Sequence, residues 1–217
     1  MAEKKLYIGN IRIDDIRSGT TQVKEVYKGI DKIYEYVQHG LVLLNTSTAG
    51  TYTVNVPYDC TVHIDLVGGG GGGCYFDRHP QTIVFSYSCA GGSGAYVTGE
   101  IPITAGTYPV VVGAGGTGKY DSNAGNGGSS SCFGQTAGGG GGGKKDTVSG
   151  GTAGVATTTL TGQNGNVGGR DIDKNSSSAS GGASKYGGYG RGGNASGYKN
   201  LPTVENGVAG YCKIYIV

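Results

Sequence analysis

Leu66-Val67-Gly68-Gly69-Gly70-Gly71-Gly72-Gly73 is the stretch that decides the fold, because a strand-like run ends there in six consecutive glycines. The same transition recurs where residues 108–112, Tyr-Pro-Val-Val-Val, run into the glycine-rich residues 113–118. A second block of six glycines fills residues 138–143. The pattern predicts short β-strands that alternate with long glycine-rich excursions.

Glycine dominates the composition of this chain. It supplies 47 of 217 residues, roughly three times its average share. Each glycine in regular structure costs about 0.5–1 kcal/mol more than alanine does. The excursions are therefore either flexible linkers or segments that pack backbone against backbone, as polyproline II-like assemblies do. A strand-like close at residues 208–217 favours the packed alternative over a disordered tail.

Charge and cysteine content narrow the class of protein. A net charge of +2 is too small and too dispersed to indicate nucleic acid or an anionic membrane as a partner. The sequence has no long apolar run and no apolar signal core at its start, so we expect no membrane insertion. The five cysteines lack Cys-x-x-Cys spacing, which predicts mostly reduced thiols in a protein assembled inside the cell.

Residues 1–39 carry more charge, isoleucine and tyrosine than the rest of the chain, and less glycine. Residues 7–13 and 27–33 match at Tyr, Gly and the final Ile, a repeat with a 20-residue offset. Each copy predicts two short strands around a glycine turn. Two small hairpins bury little core alone, so this module needs a partner surface or its own copies. The alternative is a β-subdomain that packs on the main body.

From residue 40 onward, strand patterns frame the glycine tracts. Residues 50–57 and 61–67 alternate apolar and polar side chains, and together they predict a two-stranded antiparallel unit. Thr-Ala-Gly-Thr-Tyr occurs at 48–52 and again at 104–108. This duplication predicts a β-sandwich in which two similar hairpins face each other. Glycines also recur every third residue, which is the polyproline II spacing, at Gly187, Gly190 and Gly193.

One glycine motif raises the question of phosphate binding. Residues 113–118 fit G-x-G-x-x-G, and with Lys119 they nearly fit a P-loop. Both motifs hold phosphate at the start of a helix that follows the loop directly. Residues 120–128 will not start a helix, so a glycine-rich chain that happens to fit a glycine pattern is the better interpretation.

Other tempting motifs are weaker still. Cys74, His79 and Cys89 fit no common zinc spacing, and the single Arg-Gly-Gly at 191–193 is not an array of the kind that binds RNA. No catalytic constellation is apparent among the histidines, serines and acids. We therefore predict no enzyme activity, no cofactor and no metal.

Aromatic and basic side chains inside the excursions give the best lead to a function. Loops that present such residues among Ser, Gly and Asn resemble a recognition surface in composition. The alternative is that these side chains cover the glycine packing and contact nothing else. The candidates for contact with a receptor, all predicted to lie in loops rather than strands, are Tyr75, Phe76, Arg78, His79, Phe85, Tyr87, Tyr120, Phe133, Tyr186, Tyr189 and Arg191.

The frame of strands and glycine blocks resembles the glycine-rich domain of bacteriophage tail fibre and adhesin proteins. The resemblance rests on residues 50–57, 62–73, 94–97 and 105–118, and on the closing Gly-Val-Ala-Gly-Tyr-Cys-Lys-Ile-Tyr at 207–215. The N-terminal Tyr-x-Gly repeat is similar to short modules that precede such domains in phage and prophage tail proteins. A similar frame occurs in an animal receptor kinase ectodomain, but the missing signal peptide and sparse cysteine pairing favour the phage proteins.

This resemblance implies a virion protein, assembled in the cytoplasm of a bacterial host, that binds a bacterial surface receptor. Residues 40–217 would form a mainly β domain, a β-sandwich with polyglycine II-like excursions whose loops contact the receptor. Residues 1–39 would form a β-hairpin module that attaches to other virion proteins and allows a homo-oligomer. The attachment candidates are Tyr7, Ile11, Ile13, Tyr27, Ile33 and Tyr34.

Two alternatives to an adhesin stay open at this point. The first is a purely architectural virion subunit, such as a capsid fibre, a decoration protein or a tail protein without a receptor. The second is an enzyme that acts on surface glycans, but the sequence shows no pair of carboxylates at a recognisable spacing.

Overall fold

The computed structural model describes residues 38–78, 85–174, 176–198 and 201–217, together with six strands between residues 6 and 35. Within this part every regular element is a β-strand, which confirms the predicted mainly β fold. The chain divides into two compact units, Met1–Leu41 and Val42–Val217.

The N-terminal unit contains three two-stranded antiparallel hairpins. The first and third confirm the two predicted hairpins. The middle one escapes prediction because its polar residues carry neither the Tyr nor the Ile that mark the other two. The strands are β1 (Leu6–Ile8), β2 (Ile11–Ile13), β3 (Arg17–Ser18), β4 (Thr21–Gln22), β5 (Glu25–Lys28) and β6 (Asp31–Glu35).

These hairpins share a ten-residue spacing. The connection inside each hairpin is two residues long and begins with a glycine, at Gly9, Gly19 and Gly29. An apolar residue stands three positions before each of these glycines, at Leu6, Ile16 and Val26. The sequence therefore repeats every ten residues, and the 20-residue offset between the first and third hairpins spans two repeats.

The second unit contains a β-sandwich of two five-stranded antiparallel sheets. In spatial order the first sheet contains β18 (Thr161–Gln163), β12 (Tyr96–Ile103), β9 (Cys60–Val67), β23 (Tyr211–Ile216) and β7 (Val42–Thr46). The second contains β17 (Ala156–Thr157), β16 (Gln135–Ala137), β15 (Ser130–Cys132), β13 (Gly106–Val112) and β8 (Gly50–Val56).

Alternating apolar side chains fill the space between these sheets. Since successive side chains of a strand point to opposite faces, every second residue of the long strands enters the core. Burial of each such side chain contributes about 1.5–3 kcal/mol, and this holds the sheets together. The inward residues include Val54, Val56, Val62, Ile64, Leu66, Val110, Val112, Ile214 and Ile216, all at most 2% exposed.

Both Thr-Ala-Gly-Thr-Tyr turns carry the chain from the first sheet to the second. The Tyr52 hydroxyl donates to the Thr48 carbonyl at 2.7 Å, and the Tyr108 hydroxyl donates to the Thr104 carbonyl at 2.9 Å. The strands that follow, β8 and β13, pair directly and antiparallel. The sandwich is as predicted, but the two turns lie at opposite ends of one strand pair and do not face each other.

One predicted strand pairing is wrong. Residues 50–57 and 61–67 do form strands, but β8 belongs to the second sheet and β9 to the first. The turn between them crosses the sandwich and does not close a hairpin. Alternation determines which face of a strand is buried, but it does not select the neighbouring strand.

Beyond the sandwich, glycine-rich segments run back and forth as extended backbone outside any sheet. Odd-numbered segments lead away from the sandwich, and even-numbered segments lead back to it. PG8 and PG9 are joined by a turn near the sandwich. The segments are PG1 (residues 68–73), PG2 (90–95), PG3 (113–118), PG4 (124–129), PG5 (138–143), PG6 (150–155), PG7 (164–169), PG8 (180–183), PG9 (190–194) and PG10 (205–210).

PG1 is surrounded by six other segments and bonds to them with a three-residue period. The N–H groups of Gly68 and Gly71 donate to PG2, those of Gly69 and Gly72 to PG4, and those of the remaining two residues to PG10, at 2.9–3.0 Å. PG3, PG5 and PG9 in turn donate to the carbonyls of PG1. Three residues per turn is the polyproline II period, so the predicted polyglycine II-like packing is confirmed.

PG2 is enclosed in the same way. Its N–H groups donate to PG5, PG7 and PG9, and its carbonyls accept from PG1, PG6 and PG8. The other eight segments, PG3 to PG10, surround this central pair in chain order, each bonded to the next, and PG10 bonds back to PG3. The result is a bundle with two fully enclosed segments, PG1 and PG2, at its centre.

Close approach explains why the bundle is made of glycine. A Cβ on any residue of PG1 would lie less than 3.0 Å from a backbone atom of PG3, PG5 or PG9. Positive φ angles are not the reason, because among the described glycines of the ten segments Gly190 alone has one, at 64°. Weak Cα–H···O contacts between such closely packed backbones add to the N–H···O bonds.

The exposed side chains of the outer segments lie at residues that point away from the bundle. In PG3, PG4, PG6 and PG7 these positions recur every third residue, so in PG3 the glycines are interrupted at regular intervals. Examples are Ala114 and Thr117 in PG3, Asn126 and Ser129 in PG4, Thr152 and Val155 in PG6, and Asn164 and Val167 in PG7.

Two small sheets form a cap at the end of the bundle that lies away from the sandwich, here called the distal cap. All four strands of the first sheet and all three strands of the second take part in the contact between them. The first contains β14 (Lys119–Tyr120), β10 (Cys74–Arg78), β11 (Phe85–Cys89) and β19 (Arg170–Lys174). The second contains β20 (Ser176–Ala179), β21 (Ala195–Tyr198) and β22 (Leu201–Val204).

Candidate functional site

The β10–β11 hairpin of the distal cap brings together five of the eleven predicted receptor contacts. Phe76 lies opposite Tyr87 and Arg78 opposite Phe85 in its antiparallel register. The prediction that these residues lie in loops is wrong, since they alternate along two strands. One face of the hairpin therefore carries Phe76 and Tyr87, and the other carries Tyr75.

Tyr75 is fully buried against the three-stranded sheet. Its ring packs on Gly197, where a Cβ would lie less than 3.0 Å from the ring atoms. Its hydroxyl lies 2.8 Å from Asp77 Oδ1 and 2.9 Å from Ser86 Oγ. Tyr75 therefore joins the two sheets of the cap. The prediction that it contacts a receptor is wrong, because its side chain is buried.

The opposite face of the hairpin is an aromatic and cationic surface. The Phe76 and Tyr87 rings stack at 4.8 Å with an angle of 2° between their planes. The Arg78 guanidinium lies 5.6 Å from the Phe76 ring centre and 5.4 Å from that of Tyr87. Phe76 is itself fully buried, so it supports this surface from below and is not a direct contact.

Two loops at the bundle end enclose one side of this surface. Lys145 lies 5.9 Å from the Phe76 ring centre and forms an ion pair with Asp121 at 2.7 Å. Asn123 joins the same two loops, since it accepts from the Lys145 N–H at 2.7 Å and donates to Asp146 at 2.5 Å. Lys145 was not predicted, although its position between two glycine blocks is a usable signal.

Several side chains of this region remain open to solvent. Arg78 is exposed, and Phe85 and Tyr87 are half-buried. Ile172 of β19 lies opposite Tyr87 and is 44% exposed. We call these four side chains, with Lys145, the distal surface. Tyr120 is 47% exposed and stacks at 6.2 Å with Tyr75 at the edge of the same sheet.

A second aromatic cluster lies on the outer face of the first sandwich sheet. Tyr96 stacks on Tyr186 at 5.0 Å, Tyr186 on Tyr211 at 5.5 Å, and Tyr211 on Tyr189 at 4.4 Å. The Tyr96 hydroxyl donates to the largely buried Asp65 at 2.7 Å. Because the rings cover one another's faces, this cluster fixes the connection between PG8 and PG9 to the sheet.

A tight turn presents two of those rings. Gly187 and Gly188 have φ angles of 55° and 84°, the left-handed values that a two-residue turn of this kind requires. The Tyr189 N–H donates to the Tyr186 carbonyl at 3.0 Å, and the Ser184 hydroxyl lies 2.6 Å from the Tyr189 carbonyl. Tyr186 and Tyr189 are therefore held at the sandwich end, away from the distal cap.

We expect the protein to lose stability between pH 10 and pH 12, because burial raises the pKa of Tyr75, Tyr96 and Tyr211 to about 12 from the ordinary value of 10.0. Below pH 10 these groups are neutral in both states and contribute no pH dependence. Above it, the unfolded chain loses protons that the folded chain retains, so the free energy of unfolding falls. Denaturant titrations across this range, with tyrosinate absorbance followed in parallel, measure the effect.

The variant Tyr96→Phe provides the control for this pH dependence. It removes one of the late-titrating groups, so the fall in stability above pH 10 becomes shallower. A native protein whose tyrosines all titrate together at the ordinary value would contradict the prediction.

The remaining predicted contacts lie elsewhere. Phe133 occupies the turn between β15 and β16, and its ring meets that of Tyr108 edge-on at 5.2 Å. Arg191 lies in PG9 and approaches Glu205 at 3.5 Å. His79 lies outside the described residues. The eleven candidates therefore do not form one surface, and the distal cap unites the largest group of them.

The other motifs have structural explanations. The N–H groups of Gly113, Gly116 and Gly118, where a phosphate would bind, already donate to Ser130, Gly70 and Asn206. Across the described residues, no group of three or more metal-ligating side chains is found, and no helix there is long and apolar enough to cross a membrane. The attachment candidates lie in β1, β2, β5 and β6, and their side chains are outside the description.

Comparison with known proteins bears on the second unit. A family model described as a glycine-rich domain matches residues 46–215, which include the bundle, the distal cap and all of the sandwich but most of β7 and the last residue of β23. The search of curated proteins finds no match. The chain belongs to the glycine-rich domain family.

Proposed function

We propose that this protein is a phage virion component, a tail fibre or tail-tip adhesin whose distal surface binds a receptor on a bacterial host. The observation that supports this most directly is the pair of stacked rings under an exposed guanidinium at the end of a rigid bundle. Aromatic rings and arginine supply most of the energy at many protein interfaces. A bundle held by backbone bonds presents them with little entropy to lose on binding.

The bundle also separates recognition from the rest of the fold. Every segment from PG1 onward passes between the sandwich and the distal cap or the loops beside it. Loops at that end can change in sequence without altering the glycine contacts that hold the segments together. A protein that must follow a variable bacterial surface benefits from this arrangement.

Residues 1–39 have a different role from the distal surface. Residues 1–39 attach the protein to other virion components through the decapeptide hairpins, and copies of the chain associate there into a homo-oligomer. The protein is assembled in the cytoplasm of the host and resides in the virion. The alternative is an architectural subunit without a receptor.

Binding of the fluorescently labelled full chain to a panel of bacteria tests the proposal. We expect binding to a narrow set of strains, and Arg78→Ala to weaken it by about 30-fold, the loss typical of a central arginine contact. The matched control is Lys213→Ala, which removes a cation 5.0 Å from the Tyr215 ring on the sandwich. This control should bind as the unchanged protein does.

Two results would count against an adhesin that acts through the distal surface. If both variants bind equally well, the receptor site lies elsewhere on the chain. If a folded, oligomeric protein binds no strain, an architectural role is favoured, and residues 1–39 become the part whose partner must be found.

A further inference from the structure

Four of the five cysteines lie in two facing pairs. Cys74 of β10 and Cys89 of β11 are directly opposite in the antiparallel register, and both are 0% exposed. Residues directly opposite in such a pair have Cα atoms about 4.5–5.5 Å apart, which lies within the range that a disulfide spans. Both side chains lie on the same face of the hairpin, in one buried cluster with Phe76, and each thiol is the first cause of the shift in the other's pKa.

The second pair joins the two sheets of the sandwich. Cys132 of β15 and Cys212 of β23 lie in different sheets, at 2% and 0% exposure. Each lies opposite an inward-pointing core residue, Val110 for Cys132 and Leu66 for Cys212, so both thiols enter the core from opposite sides. They lie close enough that Cys132 is the first cause of the raised pKa of Cys212. The sheets approach each other closely here, since the Ser130 hydroxyl donates to the Val67 carbonyl at 2.6 Å. Cys60 is the fifth thiol, half-buried and at the other end of β9.

We propose that Cys74 with Cys89, and Cys132 with Cys212, are two disulfide sites that close when the reduced protein meets a low-molecular-weight disulfide. All five cysteines are free thiols in the structure, which is the form expected at synthesis in a reducing cytoplasm. The cross-links would form later, in an oxidising environment. Neither pair shows the sequence spacing that announces a redox or metal motif.

The chemistry at each site is thiol–disulfide exchange with a compound such as oxidised glutathione. One cysteine thiolate attacks a reagent sulfur, forms a mixed disulfide and expels one glutathione thiolate. The partner cysteine loses its proton to water, attacks the protein sulfur of the mixed disulfide and expels the second glutathione. The protein gives up two electrons and two protons, and the reagent disulfide is reduced to two thiols.

Arg170 of β19 lies directly opposite Cys89, and this cation favours the Cys89 thiolate as the first attacking group at the distal site. Cys74 and Arg170 lower the pKa of Cys89, against the opposing effect of burial. Cys89 and burial raise the pKa of Cys74, which is left to resolve the mixed disulfide.

Each cross-link would constrain a different part of the fold. The first closes the β10–β11 hairpin at its base, next to the bundle. The second ties the last strand, β23, to β15 at the opposite sheet, so the closing strand cannot detach. Both constraints stabilise chiefly by restricting the unfolded chain.

Peptide mapping after oxidation tests the proposal. Cys60 and Cys74 share one tryptic peptide, residues 33–78, so the full chain carrying Cys60→Ser is used to remove the ambiguity. It is incubated with oxidised glutathione just below its melting temperature, where buried sites open transiently, then acid-quenched and alkylated in denaturant. We expect peptide 33–78 linked to 79–119 and peptide 120–144 linked to 200–213.

Further measurements separate the two sites. Both links together should raise the melting temperature by about 5–15 °C. Adding Cys74→Ser should abolish the first link, leave Cys89 open to alkylation and retain the second link. Alkylation of all four thiols after the incubation, or links between members of different pairs, would overturn the proposal.

Discussion

Gly71→Ala is expected to destabilise residues 42–217 by about 4 kcal/mol or more, one of the largest effects a single methyl group can have. The new Cβ would lie less than 3.0 Å from three backbone atoms of PG5, the carbonyl carbon and oxygen of Gly141 and the nitrogen of Gly142. Backbone atoms cannot rotate away as the end of a side chain can. PG5 would have to move as a unit, and it is bonded to PG1, PG2, PG4 and PG6.

The sign of this effect is opposite to the one that chain entropy alone predicts. Replacing glycine by alanine where the backbone permits it stabilises a protein by about 0.4–1 kcal/mol, because the unfolded chain has fewer conformations. Gly71 has no positive φ, so the backbone angles would allow alanine. Only the loss of space makes the substitution costly, and the steric term exceeds the entropic one several-fold.

Val167→Ala is the matched control for Gly71→Ala. It also places alanine in a glycine segment, but at an outward position that is 70% exposed. Its stability should stay within about 0.5 kcal/mol of the unchanged protein. Urea denaturation followed by circular dichroism measures both variants, and equal stabilities would show that PG1 is not enclosed by backbone.

The sequence predicts that the glycine segments pack together, but it does not predict which segments are neighbours in the bundle. The six glycines of PG1 leave a flexible linker and a packed segment both open, and the strand-like close at residues 208–217 favours packing. The choice of neighbours is invisible because identical glycines carry no side-chain pattern. The sequence does show a three-residue pattern of side chains in outer segments such as PG4 and PG7. This pattern indicates the positions that face solvent, whereas a hydrophobic pattern would indicate the buried ones.

The candidate site shows a different limit. Tyr75 and Phe76 are adjacent in sequence and equally aromatic, so composition treats both as surface contacts. Because β10 pairs with β11, Tyr75 packs on Gly197 and Phe76 lies on the opposite face of the hairpin. Lys145, which is remote in sequence, lies next to Phe76 and forms an ion pair with Asp121. Such juxtapositions depend on where the segments emerge from the bundle, which no local pattern specifies.

Trypsin is expected to spare the bonds after Lys119, Lys144, Lys145 and Lys185 for at least about 100 times as long as it does in Gly71→Ala, because cleavage requires local opening of the chain. Lys119 donates its N–H to Gly73 at 2.9 Å and pairs with Cys74. Lys144 and Ser149 exchange two backbone bonds. Digestion at fixed protease concentration, analysed by intact mass, gives the rates.

The lysines of the N-terminal unit provide an internal reference for the digestion. Lys28 and Lys32 lie in β5 and β6, a two-stranded sheet of the kind that is marginal by itself. Cleavage there should come first and leave a resistant fragment that starts at residue 33. Early cuts after Lys119 or Lys145 would instead mean that the excursions open freely.

This digestion separates two physical accounts of a glycine-rich chain. Flexible glycine linkers have no bonds to break and would be cut at the first accessible lysine. In the bundle, cleavage after Lys119 requires release of the bonds that hold the end of PG3 to PG1. Lys119 itself lies in β14, which must also leave β10, the strand that presents Arg78. Protection at this lysine therefore reports directly on whether the distal surface is held rigidly, the condition on which its proposed use in recognition depends.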